Sequence, residues 1–248
     1  MGVILTGSAP TLVPGCLRTE DAQCVHTSPI NPAGNPGRSA ARSFGCLPWH
    51  SPWWSACCPG PAPPAHGTVI NPATRAYQCW QTWGSKHMDP AMQTQDPMCY
   101  RAFQANPDTM WNWMSQLRDG LAGQFQARTP DGQLCSNALS RNDSLNQPGA
   151  WKATTVSRSF TLRFYDQASH GADYFRVYLT RQGFNPSTQR VGWGNIDLIT
   201  TTGRYAPTQN ISFNVSTSGR TGNHVLFVVW KASHMDQTYM WCSDINIV

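Results

Sequence analysis

The second half of the chain consists of short runs in which apolar and polar residues alternate. Alternation is the pattern of a half-buried β-strand, and turns rich in Gly, Pro, Asn and Ser separate the runs. The predicted strands are residues 159–165, 174–180, 195–200, 210–215, 224–230 and 243–248, of which 224–230 is the most continuously apolar. Strands of this length, without a repeat of fixed period, predict an all-β fold, a β-sandwich of the immunoglobulin or fibronectin type III kind.

Ahead of these strands, residues 79–149 are irregular and rich in Trp, Met, Asn, Gln and Pro. The best helical pattern is residues 108–121, where Asp108 can cap the N-terminus and apolar residues recur at helical spacing. Those residues are Met110, Trp113, Met114, Leu117 and Leu121. The segment holds too many aromatic residues for a disordered linker. We therefore expect a long helical and loop insertion between the first strands of the sandwich.

The first 65 residues differ in composition from the rest. They contain more than half of the nineteen prolines and five of the nine cysteines, and they show little apolar periodicity, so they do not resemble a folded domain. The 183 residues that follow suffice for one domain with a sizeable core. We expect residues 1–65 to be a leader or a mis-assigned upstream segment, disordered and absent from the mature protein, and residues 66–248 to be the functional domain.

Cysteine usage and a short motif point to secretion. The four cysteines after residue 65 are an even set, which predicts two disulfides and an oxidising, extracellular setting; they are Cys79, Cys99, Cys135 and Cys242. The small residues of Pro61-Ala62-Pro63-Pro64-Ala65 fit a secretory cleavage site of the A-x-A kind. A signal peptide also needs an apolar core of about seven to fifteen residues, and residues 1–65 supply none. This is the reason for the expectation that the reading frame or the start site of residues 1–65 is mis-assigned.

Charge and composition exclude several classes of function. The net charge of +5 is mild and no run of basic residues occurs, so nucleic-acid binding has little support. No segment approaches the ~20 apolar residues of a membrane span. Residues 66–248 contain no glutamate, which counts against a glycoside hydrolase with paired carboxylates.

His66 is the residue around which a metal site can be built. If the chain is cut after Ala65, the α-amine and the ring Nδ1 of His66 can chelate one metal ion. One further imidazole completes three nitrogen donors in a roughly planar arrangement, which suits copper(II) better than zinc. The alternative is an ordinary loop histidine, because most histidines are not ligands.

The second imidazole is expected to be His170. It lies in the turn between two strong predicted strands, where rigid neighbours hold an accessible side chain. His87, in a polar loop, and His224, at the start of a strand, are predicted to be surface or structural residues. For His234, a structural role is favoured over that of a metal ligand, by a smaller margin than for His87 and His224.

Several motifs resemble one family. His66-Gly-x-x-x-x-Pro72-x-x-Arg75-x-Tyr77-x-Cys79, Ala168-x-His170, Val229-Trp230 and the terminal Asp244-Ile245-Asn246-Ile247 resemble the bacterial lytic polysaccharide monooxygenases of auxiliary activity family ten, once classed as carbohydrate-binding module family thirty-three. Gln95-Asp96-Pro97-Met98-Cys99 and Met110-Trp111-Asn112-Trp113 resemble its actinobacterial, cellulose-active branch. The resemblance covers residues 66–248.

The resemblance implies a role for each matching position. His66 and His170 would form a copper histidine brace, with one copper ion per domain. Tyr239 would be the aromatic residue on the copper axis, Ala168 the small residue on the opposite side, and Trp230 a buried tryptophan near the metal. The disulfide pairs Cys79–Cys99 and Cys135–Cys242 also fit the branch, although four cysteines alone allow three pairings.

Aromatic residues on a flat face can stack on sugar rings. The candidates for substrate binding are Tyr77, Tyr100, Phe103 and Trp111. Trp113 shares the apolar helical pattern, so Trp111 is the better candidate for exposure. The sequence departs from the branch in two ways. Met114 stands where Asn is common, and no glutamate is present to supply the carboxylate that many family members place near the copper.

The sequence thus predicts a secreted, monomeric copper enzyme. It would cleave the glycosidic bonds of crystalline cellulose, with chitin as the other candidate substrate, using an external electron donor and dioxygen or hydrogen peroxide. It would bind neither nucleic acid nor membrane. The alternatives are a non-catalytic cellulose- or chitin-binding module and a small copper carrier.

Overall fold

The computed structural model describes residues 66–248, so the predictions for residues 1–65 lie outside the described residues. Two sheets and a set of short helices make up the described part. The strands are β1 Gly67–Asn71, β2 Leu117–Asp119, β3 Thr154–Val156, β4 Ser159–Asp166, β5 Ala172–Thr180, β6 Ile196–Thr201, β7 Asn210–Ser216, β8 Gly222–Ala232 and β9 Gln237–Ile247. The α-helices are α1 Arg75–Trp83, α2 Ala91–Gln95, α3 Pro97–Ala105, α4 Asp108–Trp111 and α5 Phe125–Arg128. Short 3₁₀ helices span Gly84–Lys86, Leu134–Ser136, Ser140–Asn146 and Trp193–Asn195.

The two sheets form the predicted sandwich. The smaller sheet has the strand order β1-β4-β7, and the larger has the order β2-β9-β8-β5-β6, with β3 added beside β9. All pairings are antiparallel except that of β3 with β9. The insertion between β1 and β4 contains all five α-helices. The sequence-based fold class is confirmed.

Strand β8 separates two apolar cores. Leu226, Val228 and Trp230 belong to the core that the larger sheet shares with the smaller one. Val225, Phe227 and Val229 belong to a second core built with the helices of the insertion. Successive side chains of a strand point to opposite faces, so a strand covered on both sides must be apolar at every position. This explains why residues 224–230 lack alternation.

The helix predicted for residues 108–121 is wrong. Helix α4 ends at Trp111, and residues 117–119 form strand β2, in which Leu117 pairs with Tyr239. The side-chain amide nitrogen Nε2 of Gln116 donates to the backbone carbonyls of Cys135 and Met240, at 2.6 Å each. A short helix is only marginally stable without tertiary packing, whereas pairing with the edge of β9 gives residues 117–119 both backbone hydrogen bonds and tertiary contacts, so it overrides the local pattern.

The insertion is fastened to the sandwich at several points. One disulfide joins Cys135 of the insertion to Cys242 in β9, and a second, Cys79 to Cys99, lies within the insertion; both are pairs that the resemblance implied. The guanidinium of Arg75 in α1 forms a bidentate ion pair with the carboxylate of Asp244 in β9, with N–O distances of 2.6 and 3.0 Å. Both side chains are buried. No helix in residues 66–248 is long and apolar enough to cross a membrane.

Candidate metal centre

The turn from β4 to β5 holds His170 in a fixed orientation. The Asp166 carboxylate accepts hydrogen bonds from the His170 backbone N–H, the Ala168 N–H at 3.2 Å and the His170 ring Nδ1 at 2.8 Å. Ser169 and Gly171 adopt positive φ angles of 56° and 72°, which tighten the turn. A Cβ atom on Gly171 would come within 2.7 Å of the Tyr205 carbonyl oxygen, so a larger residue cannot replace this glycine without displacing backbone.

The ring nitrogens of His170 differ in their surroundings. A carboxylate can only accept a hydrogen bond, so Nδ1 carries a proton, and in the tautomer that this selects the lone pair is on Nε2. Nε2 is buried and has no hydrogen-bond partner among the described residues. Metal-binding histidines commonly donate their other nitrogen to a carboxylate in this way, which fixes the tautomer and the ring orientation. The environment of His170 therefore suits coordination through Nε2.

His66 lies beside this turn at the start of β1. Its carbonyl oxygen accepts a hydrogen bond of 2.8 Å from the backbone N–H of Gln167. The next residue, Gly67, pairs with Asp166 in the sheet, and its N–H donates to the Met114 carbonyl at 3.2 Å. The backbone around His66 is thus held on one side by the turn that carries His170 and on the other by the insertion. The side chain of His66 is half-buried.

Beneath the turn lie Trp230 and Tyr239, both fully buried. The indole N–H of Trp230 donates to the Gly171 carbonyl at 3.1 Å, and its ring centroid lies 6.4 Å from that of His170. The Tyr239 ring lies 4.5 Å from the Trp230 ring. Burial raises the pKa of Tyr239, and the charges of Asp166 and Asp119 raise it further. Tyr239 is therefore a neutral phenol at ordinary pH. Ala168 is exposed on the turn.

Two further residues at this site were not assigned to it from the sequence. The imidazole of His234 stacks on that of His170, with ring centroids 4.1 Å apart and 29° between their planes. The neighbouring Ser233 hydroxyl donates to the His170 carbonyl at 2.8 Å. Burial lowers the pKa of His234, as does the nearby His170. Gln237 is buried two residues before Tyr239 in β9, and its Oε1 has no hydrogen-bond partner among the described residues.

The two remaining histidines of residues 66–248 do not join the site. The buried His224 is satisfied at both ring nitrogens, by the Thr180 hydroxyl at 3.0 Å and the Thr221 carbonyl at 3.1 Å. Burial lowers its pKa. His87 contacts the Gly84 carbonyl at 3.3 Å through Nδ1. Within residues 66–248, no three His, Cys, Asp or Glu side chains converge as a ligand set, so a site at His66 and His170 would need a donor of another kind.

An aromatic-lined depression adjoins the turn. It has a volume of about 490 Å³, and its lining includes Tyr77, Trp80 and Trp113 together with Met114 and Gln167, which also hold the backbone at His66 and Gly67. The Tyr77 ring lies 5.8 Å from that of Trp80 and 4.6 Å from that of Trp113. Trp80 is 37% exposed, whereas Trp113 is buried. Trp80 was not singled out from the sequence, although its position three residues after Tyr77 on a helix puts both on one face.

The other aromatic candidates lie in a different arrangement. Trp111 is 41% exposed, as the sequence predicted. Its ring lies 5.1 Å from that of His87 and 6.2 Å from that of Phe103. Tyr100 is half-buried and packs against the core of the insertion. The candidates therefore fall into two groups, one around Tyr77 and one around Trp111.

Comparison with known proteins gives consistent results. Residues 66–245 match the model of the family described as lytic polysaccharide mono-oxygenase, cellulose-degrading. A lytic cellulose monooxygenase of Streptomyces ambofaciens is 30% identical over 200 residues, covering 73% of this chain and 53% of that protein. The solved AA10A protein of T. fusca is 55% identical, with a TM-score of 0.72; the match covers 74% of this chain and 100% of the T. fusca chain. The cellulose-active CelS2, solved in complex with copper, is 25% identical, with a TM-score of 0.61, over 73% of this chain and 98% of its own.

The lengths of these matches differ. The chain spans about half the length of the curated relatives that it matches. The match covers the whole of the T. fusca structure.

Proposed function

The chain belongs to the lytic polysaccharide monooxygenases of auxiliary activity family ten, in the actinobacterial branch, and we propose that residues 66–248 are a copper-dependent domain that cleaves crystalline polysaccharide oxidatively. Cellulose is the proposed substrate, with chitin as the second candidate. The relatives named above as cellulose-active support this choice. The observation that carries the proposal is the buried, unpartnered Nε2 of His170 beside His66.

The proposed domain begins at His66. Cleavage after Ala65 would free the α-amine, which is tied up in a peptide bond in the full chain. The small residues before the cut fit secretory processing, and the two disulfides fit an extracellular setting. The match to the family model, which begins at His66, also supports this boundary. The mature protein is then a secreted monomer.

The proposed brace consists of the amine and Nδ1 of His66 and the Nε2 of His170. Three nitrogen donors with no carboxylate or thiolate favour copper over harder metal ions. Copper held there would supply one-electron chemistry: it would accept electrons from an external donor and enable dioxygen or hydrogen peroxide to oxidise a glycosidic carbon. The contribution of Asp166 is to hold the proton at Nδ1, so that Nε2 is the ring nitrogen left for the metal and points away from the carboxylate.

The surrounding residues shape this centre. Tyr239 would be the aromatic residue beside the copper, where a neutral phenol would add no negative charge. Ala168 leaves the opposite side narrow but open, because its side chain is a methyl group. Trp230 supports the turn from below through its hydrogen bond to Gly171. Gln237 is the amide available where other family members place a carboxylate.

Substrate binding is assigned to the aromatic face. Tyr77 and Trp80 lie next to the backbone that holds His66 and offer ring faces to a sugar chain. Trp111 and Phe103 would extend contact along the surface, with Tyr100 supporting them from a half-buried position. An open face of this kind suits a crystalline surface, whose chains cannot enter a deep cleft.

The deciding experiment compares three proteins: the form beginning at His66, the same form with His170→Ala, and a form that keeps Ala65. Each is loaded with one equivalent of copper(II) and examined by electron paramagnetic resonance, and then incubated with cellulose or chitin and a reductant. We expect a nitrogen-rich axial spectrum and oxidised oligosaccharides, detected by mass spectrometry, from the first protein only. A spectrum and product yield indifferent to both changes would overturn the proposal and leave a polysaccharide-binding module.

A further inference from the structure

A second cavity lies in the insertion, between α3 and the 3₁₀ helix Ser140–Asn146. Its volume is about 510 Å³, which is within the range of small-molecule sites. The floor includes the buried Met98, and the rim includes Arg101 and Arg141. None of its lining residues belongs to the candidate metal centre or to the aromatic depression near His66. We call it the insertion cavity.

Two guanidinium groups of the insertion cavity are available to a ligand. The guanidinium of Arg101 makes no ion pair or hydrogen bond with any of residues 66–248. Arg141 donates one hydrogen bond, of 2.7 Å, to the Ser115 carbonyl and has no carboxylate partner in the described part of the chain. Guanidinium groups bind carboxylates through paired N–H donors. The cavity therefore offers a place for a negatively charged group.

The other polar groups suit hydroxyls rather than a second negative charge. Asp143 lines the same cavity and uses one oxygen to accept a hydrogen bond from Asn146 at 3.0 Å. Its charge disfavours strongly anionic ligands such as phosphate, while its other oxygen can accept from a hydroxyl. The Ser144 hydroxyl is buried without a hydrogen-bond partner in the described residues. Buried polar groups of native proteins are normally satisfied, so a ligand hydroxyl is a fitting partner.

We propose that the insertion cavity binds a sugar acid, meaning a molecule of one or two sugar units that carries one carboxylate. The carboxylate would lie between Arg101 and Arg141, and the hydroxyls would meet Asp143, Ser144 and the side chain of Gln147. Met98 would contact the apolar face of the sugar. This inference goes beyond the proposed function and does not depend on copper.

The test is a titration of the metal-free full chain with D-glucuronate and with D-glucose, followed by NMR chemical shifts. These two sugars differ by a carboxylate in place of a hydroxymethyl group, and the absence of metal prevents chelation elsewhere. We expect saturable binding of glucuronate, with glucose binding at least about tenfold more weakly, because a hydrogen bond to a charged group is worth that much.

Three variants locate the site. Arg101→Gln and Arg141→Gln should each weaken glucuronate binding by about tenfold. Arg158→Gln is the matched control, since Arg158 is an exposed arginine outside the cavity and should leave binding unchanged. Thermal unfolding of each variant checks that the fold persists. The proposal is overturned if wild-type protein does not bind glucuronate, if glucose binds equally well, or if both cavity variants bind like the Arg158 control.

Discussion

A single carboxylate, that of Asp166, determines how His170 is presented. It accepts hydrogen bonds from the ring and backbone of His170 and from the Ala168 backbone, and it is itself fully buried. His234 adds a stacking contact on the face of the same ring. The imidazole is therefore restrained along its edge and on one face, before any metal binds. Restraint of this kind preorganises a ligand and lowers the entropic cost of coordination.

This restraint can be measured through copper affinity. In the form beginning at His66, Asp166→Asn keeps the shape but removes the charge that fixes the His170 tautomer. We expect copper(II) affinity to fall about 10- to 100-fold, the usual effect of losing such a partner, in a competition titration with a chelator. Asp173→Asn, at an exposed carboxylate of β5, is the control. Equal affinity of the two variants would contradict the role assigned to Asp166.

His224 makes a separate prediction about pH. Burial lowers its pKa below the value of about 6.5 that it has when unfolded, so the unfolded chain binds this proton more readily. Its contribution to stability is complete above about pH 6.5 and is lost as the pH falls from there through the folded pKa. We expect His224→Gln to flatten the dependence of the free energy of unfolding on pH between about 7.5 and 5.5, measured by urea denaturation. An unchanged slope would show that His224 does not contribute.

Among the secondary structure elements, the long strands of the second half of the chain and the existence of an insertion were predictable, whereas the bounds of the helices and short strands within the insertion were not. The predicted strand at residues 210–215 corresponds to β7, Asn210–Ser216, and that at residues 159–165 to β4, Ser159–Asp166. Their side-chain alternation is a local signal. Strand β2 has three residues and exists only because β9 offers an open edge, so residues 108–121 carried no local sign of it. Likewise, the stack of His234 on His170 joins residues 64 positions apart, and no spacing rule anticipates it.

The attachment of α1 to β9 depends on the ion pair between Arg75 and Asp244. Arg75 also donates to the Leu145 carbonyl at 2.6 Å, and its guanidinium lies 4.8 Å from the centre of the Trp151 ring. Replacing one partner leaves a buried charge unpaired. We expect Arg75→Leu to lower the free energy of unfolding by about 3–5 kcal/mol, measured by guanidinium denaturation.

A double variant tests the cause of that loss. In Arg75→Leu combined with Asp244→Leu, no unpaired charge remains, so the loss should be clearly smaller than the sum of the two single losses. Additive losses would instead mean that each side chain stabilises the fold independently of the other.

Over the whole molecule, the two disulfides constrain the unfolded chain to different extents. Cys135–Cys242 spans a sequence separation of 107 residues, whereas Cys79–Cys99 spans 20. Loop-closure entropy predicts stabilisation of about 5 kcal/mol for the first and about 3 kcal/mol for the second. We expect the variant with both Cys135 and Cys242 changed to Ser to lose more free energy of unfolding than the variant with both Cys79 and Cys99 changed to Ser. The reverse order would mean that strain or residual structure outweighs chain entropy.

The central strand β8 gives alternate side chains to two cores. If either core lost its packing, one face of β8 would be exposed to solvent, and the other core would lose the support of that strand. We therefore expect the sandwich and the insertion to unfold in one thermal transition. Their slowest amides should exchange with solvent at one common rate. The same sharing limits engineering. Suppose that the helices of the insertion were replaced by those of a relative in order to change the aromatic residues near His66. The new helices would pack against the side chains of Val225, Phe227 and Val229. A close fit would be restored only if the residues at these β8 positions were replaced by those of the same relative.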